Sequence, residues 1–330
     1  MRTGPGPETV IPCPTGLYVL TDDGKISFRP SSSSSPSSSV VVADTGGRPL
    51  GGDHSTFEST SASDVLYVAD VKLGLVKVTV SLPSMSSVVE VVAVKSSDGR
   101  RVTFADDVAV SPSDGKVYFS DASDASVHYV PSTNSYTTLE ASIFEGMRGS
   151  PSGRVLLYDP ASRSASTILE GVWFANGLTL HPTLPYLLAC ETFAARVLKI
   201  PLDGSPASVF AEGVFPGYVD GLTFSEDGER VYVAVPSPAP GAVKLLSKLG
   251  PKWLNAALRS VILKLPPLVK PVTYACFVVL DVETGDVLKT YVDEGGEAQD
   301  FVTSVAVKDG EVYLGSLKTD WVAVLDDEWG

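Results

Sequence analysis

A short hairpin pattern that repeats along the chain limits the possible folds more than any other feature of this sequence. In its clearest copy, Asp220 opens DGLTF and stands twelve residues before Tyr232 in RVYVAV. Asp106 opens DDVAV at the same distance from Tyr118, and Asn176 opens NGLTL before the apolar stretch YLLACE. Alternating apolar residues that lead through a turn into a second such run are typical of β-hairpins.

Two further copies with different loop lengths begin at Glu8, in ETVIP before GLYVLTD, and at Thr303, in TSVAV before EVYLGSL. Self-similar hairpins at intervals of about 40 to 80 residues indicate the blades of a propeller. Assigning the strands in chain order gives six blades. We therefore predict an all-β, six-bladed β-propeller that occupies residues 1–330 as a single domain, with a short helical insertion in the fifth blade at 241–270.

Blades two and three are assigned from their local patterns. In blade two, counting back from Tyr67 puts the channel position at His54 or Ser55, whereas counting from the Gly-Arg-Pro turn puts it at Leu50. His54 is accordingly either a general base at the channel or a loop histidine. In blade three, VYFSDAS, SVHYVP and GRVLLYDPASRSASTILEG are assigned as the strands outside the first one.

The first residues of the repeats share a position that, in a propeller, lies on the innermost strand near the mouth of the channel. Each alone is an ordinary turn residue before a strand, but their common register predicts that they converge. Side-chain oxygens without histidine or cysteine suit a hard cation, Ca²⁺ above Mg²⁺. The predicted channel residues are Glu8, Asp106, Asn176, Asp220 and Thr303.

Composition excludes several classes of protein. A net charge of -14 and a pI near 4.6 argue against nucleic-acid binding, which needs a basic face. Cys13, Cys190 and Cys276 lie in apolar stretches and are predicted to be buried thiols rather than a disulfide framework. The sequence shows neither an apolar run long enough to span a membrane nor a signal peptide, and the compartment stays unknown.

The segment 241–270 reverses the sign of the chain's charge, because it holds six lysine or arginine residues and no acidic residue. Apolar residues at helical spacing, with Trp253 among them, predict two short helices on either side of Gly250 and Pro251. The segment is either a lid packed over the propeller or a peripheral contact with an anionic membrane surface. Co-sedimentation with phosphatidylserine vesicles distinguishes the two.

Seven motifs fall in order along the chain: GPE at 6–8, GRPLG, LYVADVKLGL, GRVLLYDP, WFANGLTL, PGYVDGLTF and VKDGEVYLGSL. With these motifs the sequence resembles the strictosidine synthase-like family, with adipocyte plasma membrane-associated protein and the paraoxonase and gluconolactonase propellers as more distant relatives. The resemblance covers nearly the whole chain. It implies a six-bladed propeller and, as in the hydrolytic relatives, a channel calcium held by residues that match Glu8, Asn176 and Asp220.

The sequence departs from the family at two positions. Relatives usually carry Asn-Asp in the third blade, where this chain has Asp106-Asp107, which adds a third carboxylate to Glu8 and Asp220. Asp106 either joins the metal ligands or stays outside them as a base. The resemblance also aligns Thr303 with the glutamate that drives condensation in true strictosidine synthases, and a threonine hydroxyl cannot deprotonate an amine at neutral pH.

The predicted function is that of a calcium-dependent hydrolase of small-molecule esters or lactones. Calcium would stabilise the oxyanion, and Asp106 or His54 would take a proton from the attacking water. The chain has no G-x-S-x-G motif for a serine nucleophile. Two alternatives stay open: a non-enzymatic, membrane-associated propeller scaffold, and a condensing enzyme of the strictosidine synthase type. An open channel mouth above Asn176, with one side of the site free of protein ligands, favours catalysis, and a plugged channel favours the scaffold.

Overall fold

The computed structural model describes residues 1–31, 39–148, 150–238 and 273–328. Within these ranges the protein is built from antiparallel sheets, five of four strands and one of three, that form the six blades of a propeller. The all-β, six-bladed fold predicted from the repeated hairpins is therefore confirmed. The predicted helical insertion at 241–270, with its two alternative roles, lies outside the described residues.

In the first three blades the innermost strand comes first in the chain. Blade one contains β1 (Thr9–Cys13), β2 (Gly16–Leu20), β3 (Lys25–Pro30) and β4 (Val40–Asp44). Blade two contains β5 (Pro49–His54), β6 (Ser63–Asp70), β7 (Gly74–Ser81) and β8 (Ser86–Ala93). Blade three contains β9 (Ala105–Val110), β10 (Val117–Asp121), β13 (Gly153–Asp159) and β14 (Ser164–Val172).

The insertion between β10 and β13 differs from the sequence prediction. It holds a small hairpin of β11 (Tyr129–Val130) and β12 (Ser135–Tyr136) and the helix α1 (Thr138–Arg148). The stretch SVHYVP was predicted as an outer strand of blade three, which is wrong because β13 and β14 already complete that sheet. Its tyrosine instead pairs with Tyr136 across the hairpin, with ring centroids 5.3 Å apart.

The last three blades follow the same plan. Blade four contains β15 (Ala175–Leu180), β16 (Tyr186–Glu191), β17 (Arg196–Pro201) and β18 (Ser208–Glu212), with a 3₁₀ turn at Thr192–Ala194. A two-stranded ribbon of β19 (Gly217–Tyr218) and β22 (Ser237–Pro238) flanks blade five, which contains β20 (Leu222–Phe224), β21 (Arg230–Ala234), β23 (Ala275–Asp281) and β24 (Val287–Asp293). Blade six contains β25 (Val302–Lys308), β26 (Glu311–Ser316) and β27 (Ala323–Asp326).

The apolar core is divided into clusters that lie between neighbouring blades, as the alternation of the strands requires. One such cluster joins blades four and five, and another joins blades five and six. The ring closes between blades six and one, where Val10 and Val19 pack with Ala306 and Tyr313. The amino group of Met1 also donates a hydrogen bond to the carbonyl oxygen of Val322, 2.7 Å away. Three buried, unpaired cysteines belong to this core, as predicted.

Candidate metal centre and substrate cavity

The strand pairing puts one residue of each blade at the same level of the channel. In blade three a bulge separates the pairs Ala105–Asp121 and Val108–Phe119, and Asp106 is the first residue of the bulge. Blades two, four and six interrupt their inner pairing at the same place, and bulges of this kind re-aim side chains. The equivalent residues line one cavity of about 110 Å³: Glu8, Leu50, Asp106, Asn176, Asp220 and Thr303. We call these six residues the channel ring.

The pairing also decides the register of blade two. Pro49 pairs with Asp70, so Leu50 holds the channel position, in agreement with the count from the Gly-Arg-Pro turn. His54 lies four residues further on, at the end of β5, where its Nε2 atom is 3.1 Å from Asp64 Oδ1. His54 lines neither the cavity inside the channel ring nor the second cavity next to it, which is described below. His54 therefore belongs to a buried polar network between blades and does not stand beside the donors as a base.

Three of the ring residues are carboxylates, contributed by blades one, three and five. Glu8 and Asp106 are buried, and Asp220 is partly exposed. Burial, and then the charges of Asp220 and Glu8, raise the pKa of Asp106 well above its usual range. Burial and the Glu8 charge do the same to the pKa of Asp220, against a hydrogen bond from the Asn176 side chain. A cation among these groups would relieve both the desolvation and the repulsion that raise their pKa values.

Arg48 supports the ring and was missed by sequence reasoning. Its guanidinium group is 2% exposed, with Nη2 3.0 Å from Glu8 Oε2 and Nε 2.6 Å from Asp22 Oδ1. Nη1 donates to the carbonyl oxygen of Pro49 at 2.9 Å. Burial nevertheless raises the pKa of Glu8 to about 7, and the Arg48 charge limits this rise. The available signal for Arg48 was its place in GRPLG, two residues before the channel position of blade two.

The residues that follow the ring positions tie neighbouring blades together. Asp107 accepts a hydrogen bond from the backbone N–H of Leu178 in the next blade at 2.8 Å. Asp53 likewise accepts a hydrogen bond from the backbone N–H of Val110 in β9 at 2.8 Å. The Ser304 hydroxyl donates to the carbonyl oxygen of Glu8 at 2.6 Å. These bonds fix the inner strands relative to one another, and with them the positions of the donors.

Glycine follows the donor in blades four and five because the inner strands approach each other closely there. A Cβ atom on Gly177 would lie 2.5 Å from the carbonyl oxygen of Asp220, and one on Gly221 would lie 2.6 Å from that of Thr303. No side chain fits at such distances without moving the backbone. The Asn-Gly and Asp-Gly pairs of the repeat are therefore a packing requirement of the ring, in addition to any role in binding.

A second cavity, of about 220 Å³, borders the ring and is lined by Glu8, Leu50, Asp106, Asn176 and Asp220 from below. We call it the upper cavity. Its walls are largely aromatic: the rings of Phe104 and Phe174 are 5.2 Å apart, those of Phe174 and Phe193 are 5.5 Å apart, and those of Phe193 and Tyr218 are 5.3 Å apart. This arrangement pairs an apolar chamber with polar groups at one end, as ligand sites usually do.

Helix α1 forms part of the wall of the upper cavity through Leu139 and Ile143, which are 57% and 41% exposed. The helix is held by Glu145, which is fully buried. Its carboxylate accepts hydrogen bonds from the hydroxyls of Ser123 and Ser152, both at 2.9 Å, and from the backbone N–H of Ser152. The position of the cavity wall therefore depends on a buried carboxylate in the blade-three insertion.

The donor chemistry of the ring suits a divalent cation. No group of three or more His, Cys, Asp or Glu side chains that could hold a metal ion occurs among the described residues. The ring carboxylates Glu8, Asp106 and Asp220 therefore do not form such a group by themselves, and the ring combines them with the amide of Asn176 around one cavity. Glu8 Oε2 is buried and lies 3.0 Å from Arg48 Nη2. Carboxylate oxygens are the usual ligands of a hard cation.

The chain is similar to several known proteins. The family model for strictosidine synthase matches residues 106–205. The adipocyte plasma membrane-associated protein of Salmo salar is 28% identical over 97% of this chain and 75% of its own length. That of Gallus gallus is 27% identical over 97% of this chain and 75% of its own length. The strictosidine synthase-like 10 protein of Arabidopsis thaliana is 26% identical over 97% of this chain and 85% of its own length.

Solved structures share the fold at lower sequence identity. A chain of the crystal structure of a nidogen/laminin complex has a TM-score of 0.57 at 12% identity and covers 94% of this chain and 88% of its own. A luciferin-regenerating enzyme has a TM-score of 0.58 at 13% identity, with coverages of 97% and 87%. Both show the propeller fold alone. In the described part of the chain, no helix has the length and apolar character needed to cross a membrane.

Proposed function

The chain belongs to the strictosidine synthase-like family, and from this premise we propose that it is a calcium-dependent hydrolase of small ester or lactone substrates. One observation carries the proposal: four oxygen-donor side chains from four different blades meet at the floor of an aromatic-lined cavity. The polar end is suited to a cation and the apolar chamber to the body of an uncharged substrate.

We expect Glu8, Asn176 and Asp220 to hold the ion. When bound, calcium supplies a positive charge that stabilises the oxyanion formed from the substrate carbonyl. Arg48 holds Glu8 in place and offsets part of the negative charge around it. The aromatic walls bind the apolar part of the substrate and exclude water from it. Because buried charges interact strongly, this exclusion strengthens the electrostatic contribution of the ring.

Asp106 has two possible roles in this scheme. As a further ligand it would tighten calcium and reduce the ion's net positive charge. As a base it would take the proton of the attacking water. His54 does not share this role, because its ring faces Asp64 between the blades. The substitution Asp106→Asn separates the two roles, since an amide keeps an oxygen ligand and removes the base.

The two alternative functions are less well supported. A scaffold with a purely structural metal does not need a cavity, yet a cavity of about 220 Å³ lies directly against the oxygen donors of the ring. A condensing enzyme needs a base at the blade-six position, where the Thr303 hydroxyl instead donates to the carbonyl oxygen of Glu8 at 3.3 Å. We therefore expect strictosidine synthase activity to be undetectable.

Elemental analysis of the purified protein, combined with a panel of aryl esters and lactones, tests the proposal. We expect one calcium per chain, and activity that disappears with chelation and returns with calcium. Asn176→Ala and Asp220→Ala should each lower the calcium content of the protein, and each should lower kcat/KM by about 100-fold or more. Equal activity in calcium-free and calcium-loaded protein would refute the mechanism.

Asp106→Asn is measured against the matched control Asp114→Asn, which makes the same change in an exposed turn beside Lys116. If Asp106 is a ligand, the substitution weakens calcium binding while turnover at saturating calcium stays equal or rises. If Asp106 is the base, turnover falls by about 100-fold or more with calcium retained. The control should change neither quantity.

A further inference from the structure

Two residues that line the upper cavity carry a hydroxyl group that is buried without a hydrogen-bond partner. The two atoms are Thr192 Oγ1 and Tyr218 Oη, and in the described ranges of the chain neither finds a donor or an acceptor. Thr192 is only 7% exposed. An unpaired buried hydroxyl lowers stability by about 1 to 3 kcal/mol, so two of them in the wall of one cavity offer unused hydrogen-bonding capacity to a ligand bound there.

Local structure holds both hydroxyls in place. Thr192 begins the 3₁₀ turn that follows β16, and this turn ends at Ala195 in the left-handed conformation with φ of 51°. Tyr218 lies on β19, which pairs with β22. The Phe193 ring packs edge-on against the Tyr218 ring, with centroids 5.3 Å apart. A tyrosine hydroxyl can donate one hydrogen bond and accept others.

We propose that Thr192 and Tyr218 form a polar subsite for an oxygen substituent that the substrate carries on its apolar body, apart from the scissile carbonyl. The inference rests on the proposed hydrolase function, which it extends to a substrate class. That class is a compact aryl or alicyclic ester or lactone bearing a hydroxyl, ether or carbonyl oxygen.

The size and charge of the upper cavity define this class. A cavity of about 150 Å³ holds benzene, so about 220 Å³ accommodates one substituted ring. The substituent is uncharged, because the carboxylates of Glu8, Asp106 and Asp220 already neutralise a bound calcium ion and leave no net positive charge to hold an anion. Among the described residues that line it there is no lysine, arginine or histidine to bind an acidic group.

The test compares the three hydroxyphenyl acetates with the matching tolyl acetates, in which a methyl group of similar size replaces the hydroxyl. With saturating calcium, we expect the wild-type protein to prefer at least one hydroxyphenyl isomer by about 10-fold in kcat/KM. Tyr218→Phe and Thr192→Val should each reduce this preference toward unity, chiefly through a lower kcat/KM for the hydroxyphenyl ester. Tyr136→Phe, in the hairpin of the blade-three insertion, is the matched control and should keep the preference.

A binding measurement separates this inference from the proposed hydrolysis. Hydroxyacetophenones and methylacetophenones, which are not hydrolysed, are titrated calorimetrically into calcium-loaded protein. If the hydroxyl compounds bind about 10-fold more tightly and Tyr218→Phe removes the difference, the subsite stands even if no ester is cleaved. If esters are cleaved but neither measurement shows a preference, the hydrolase stands and the subsite is refuted. If no ester is cleaved and the hydroxyl compounds bind no more tightly than the methyl compounds, the subsite is refuted as well.

Thermal stability gives a third readout that a structural role would not reproduce. Because the hydroxyls are unpaired, removing either one should raise the melting temperature of the ligand-free protein while it lowers the preference for oxygenated compounds. A lower melting temperature in both Thr192→Val and Tyr218→Phe would mean that the hydroxyls support the fold, and would overturn the proposal.

Discussion

The stability of the calcium-free protein should fall as the pH rises from about 5.5 to 7.5, and Glu8 should be a main cause. Burial raises the pKa of Glu8 from 4.5 to about 7. In this pH range the folded protein therefore binds more protons at Glu8 than the unfolded chain does. The contribution to stability is complete below about 4.5 and is lost as the pH rises through about 7.

The size of this effect follows from the shift. One pKa unit corresponds to about 1.4 kcal/mol, so the full shift corresponds to about 3 kcal/mol, of which about 2 kcal/mol falls between pH 5.5 and 7. The pKa values of Asp106 and Asp220 are raised in the same direction and add to the slope. Calcium binds the ionised form, so its binding should release protons and should stabilise the protein more at pH 7.5 than at pH 5.5.

Urea denaturation at several pH values, with calcium removed by a chelating resin and then restored, measures these free energies. Glu8→Gln is the decisive variant, because it keeps the shape of the side chain and cannot titrate. We expect its calcium-free stability to vary with pH by about 2 kcal/mol less than that of the wild-type protein between pH 5.5 and 7. Parallel pH profiles of wild type and variant, or calcium stabilisation independent of pH, would show that Glu8 is ionised and solvated in the free protein.

Three further outcomes follow from contacts around the site. Arg48→Met should lower the free energy of unfolding by about 3 to 5 kcal/mol, because it leaves buried Glu8 unpaired. In the same urea titration the control Arg163→Met, whose guanidinium group is 72% exposed, should change the free energy of unfolding by less than about 0.5 kcal/mol. Glu145→Gln replaces an acceptor of three hydrogen bonds and should make α1 the first region to exchange its amide hydrogens. Gly177→Ala should weaken calcium binding by about 10-fold or more in a calcium titration, since the added Cβ atom would clash with the next inner strand. The control Gly295→Ala, whose Cβ atom would lie 3.4 Å from its nearest neighbour, should leave calcium binding unchanged.

The channel ring could be predicted from the sequence because each donor opens a strand with its own local signal. Asp106, Asn176 and Asp220 precede alternating apolar residues at a constant distance from the second strand of the hairpin, and that distance fixes their level in the channel. Leu50 carries no such signal, since an apolar residue at the channel position looks like any other strand residue. The register of blade two was therefore settled by strand pairing alone.

Contacts between side chains of different blades could not be predicted from the sequence patterns. Arg48 lies forty residues after its partner Glu8, and nothing in the local sequence of either blade indicates that the two meet. Helix α1 is a different case, because Leu139, Ile143 and Met147 recur every four residues and the helical spacing was present in the sequence. The prediction missed it because SVHYVP was assigned as a blade strand and the residues between it and GRVLLYDP, 132–152, were given no element.

The asymmetry of the ring relates the metal centre to the upper cavity. Glu8, Asp106, Asn176 and Asp220 supply oxygen atoms from blades one, three, four and five, whereas Leu50 of blade two supplies none. The Leu50 side chain instead packs in an apolar cluster with aromatic residues of the cavity wall. The apolar surface therefore continues down to the level of the donors on one side of the channel. Under the proposed function, a substrate whose ring lies along that side would bring its carbonyl group to the carboxylates and amide without placing apolar atoms against charges, which would give the aromatic wall a direct part in orienting the scissile bond.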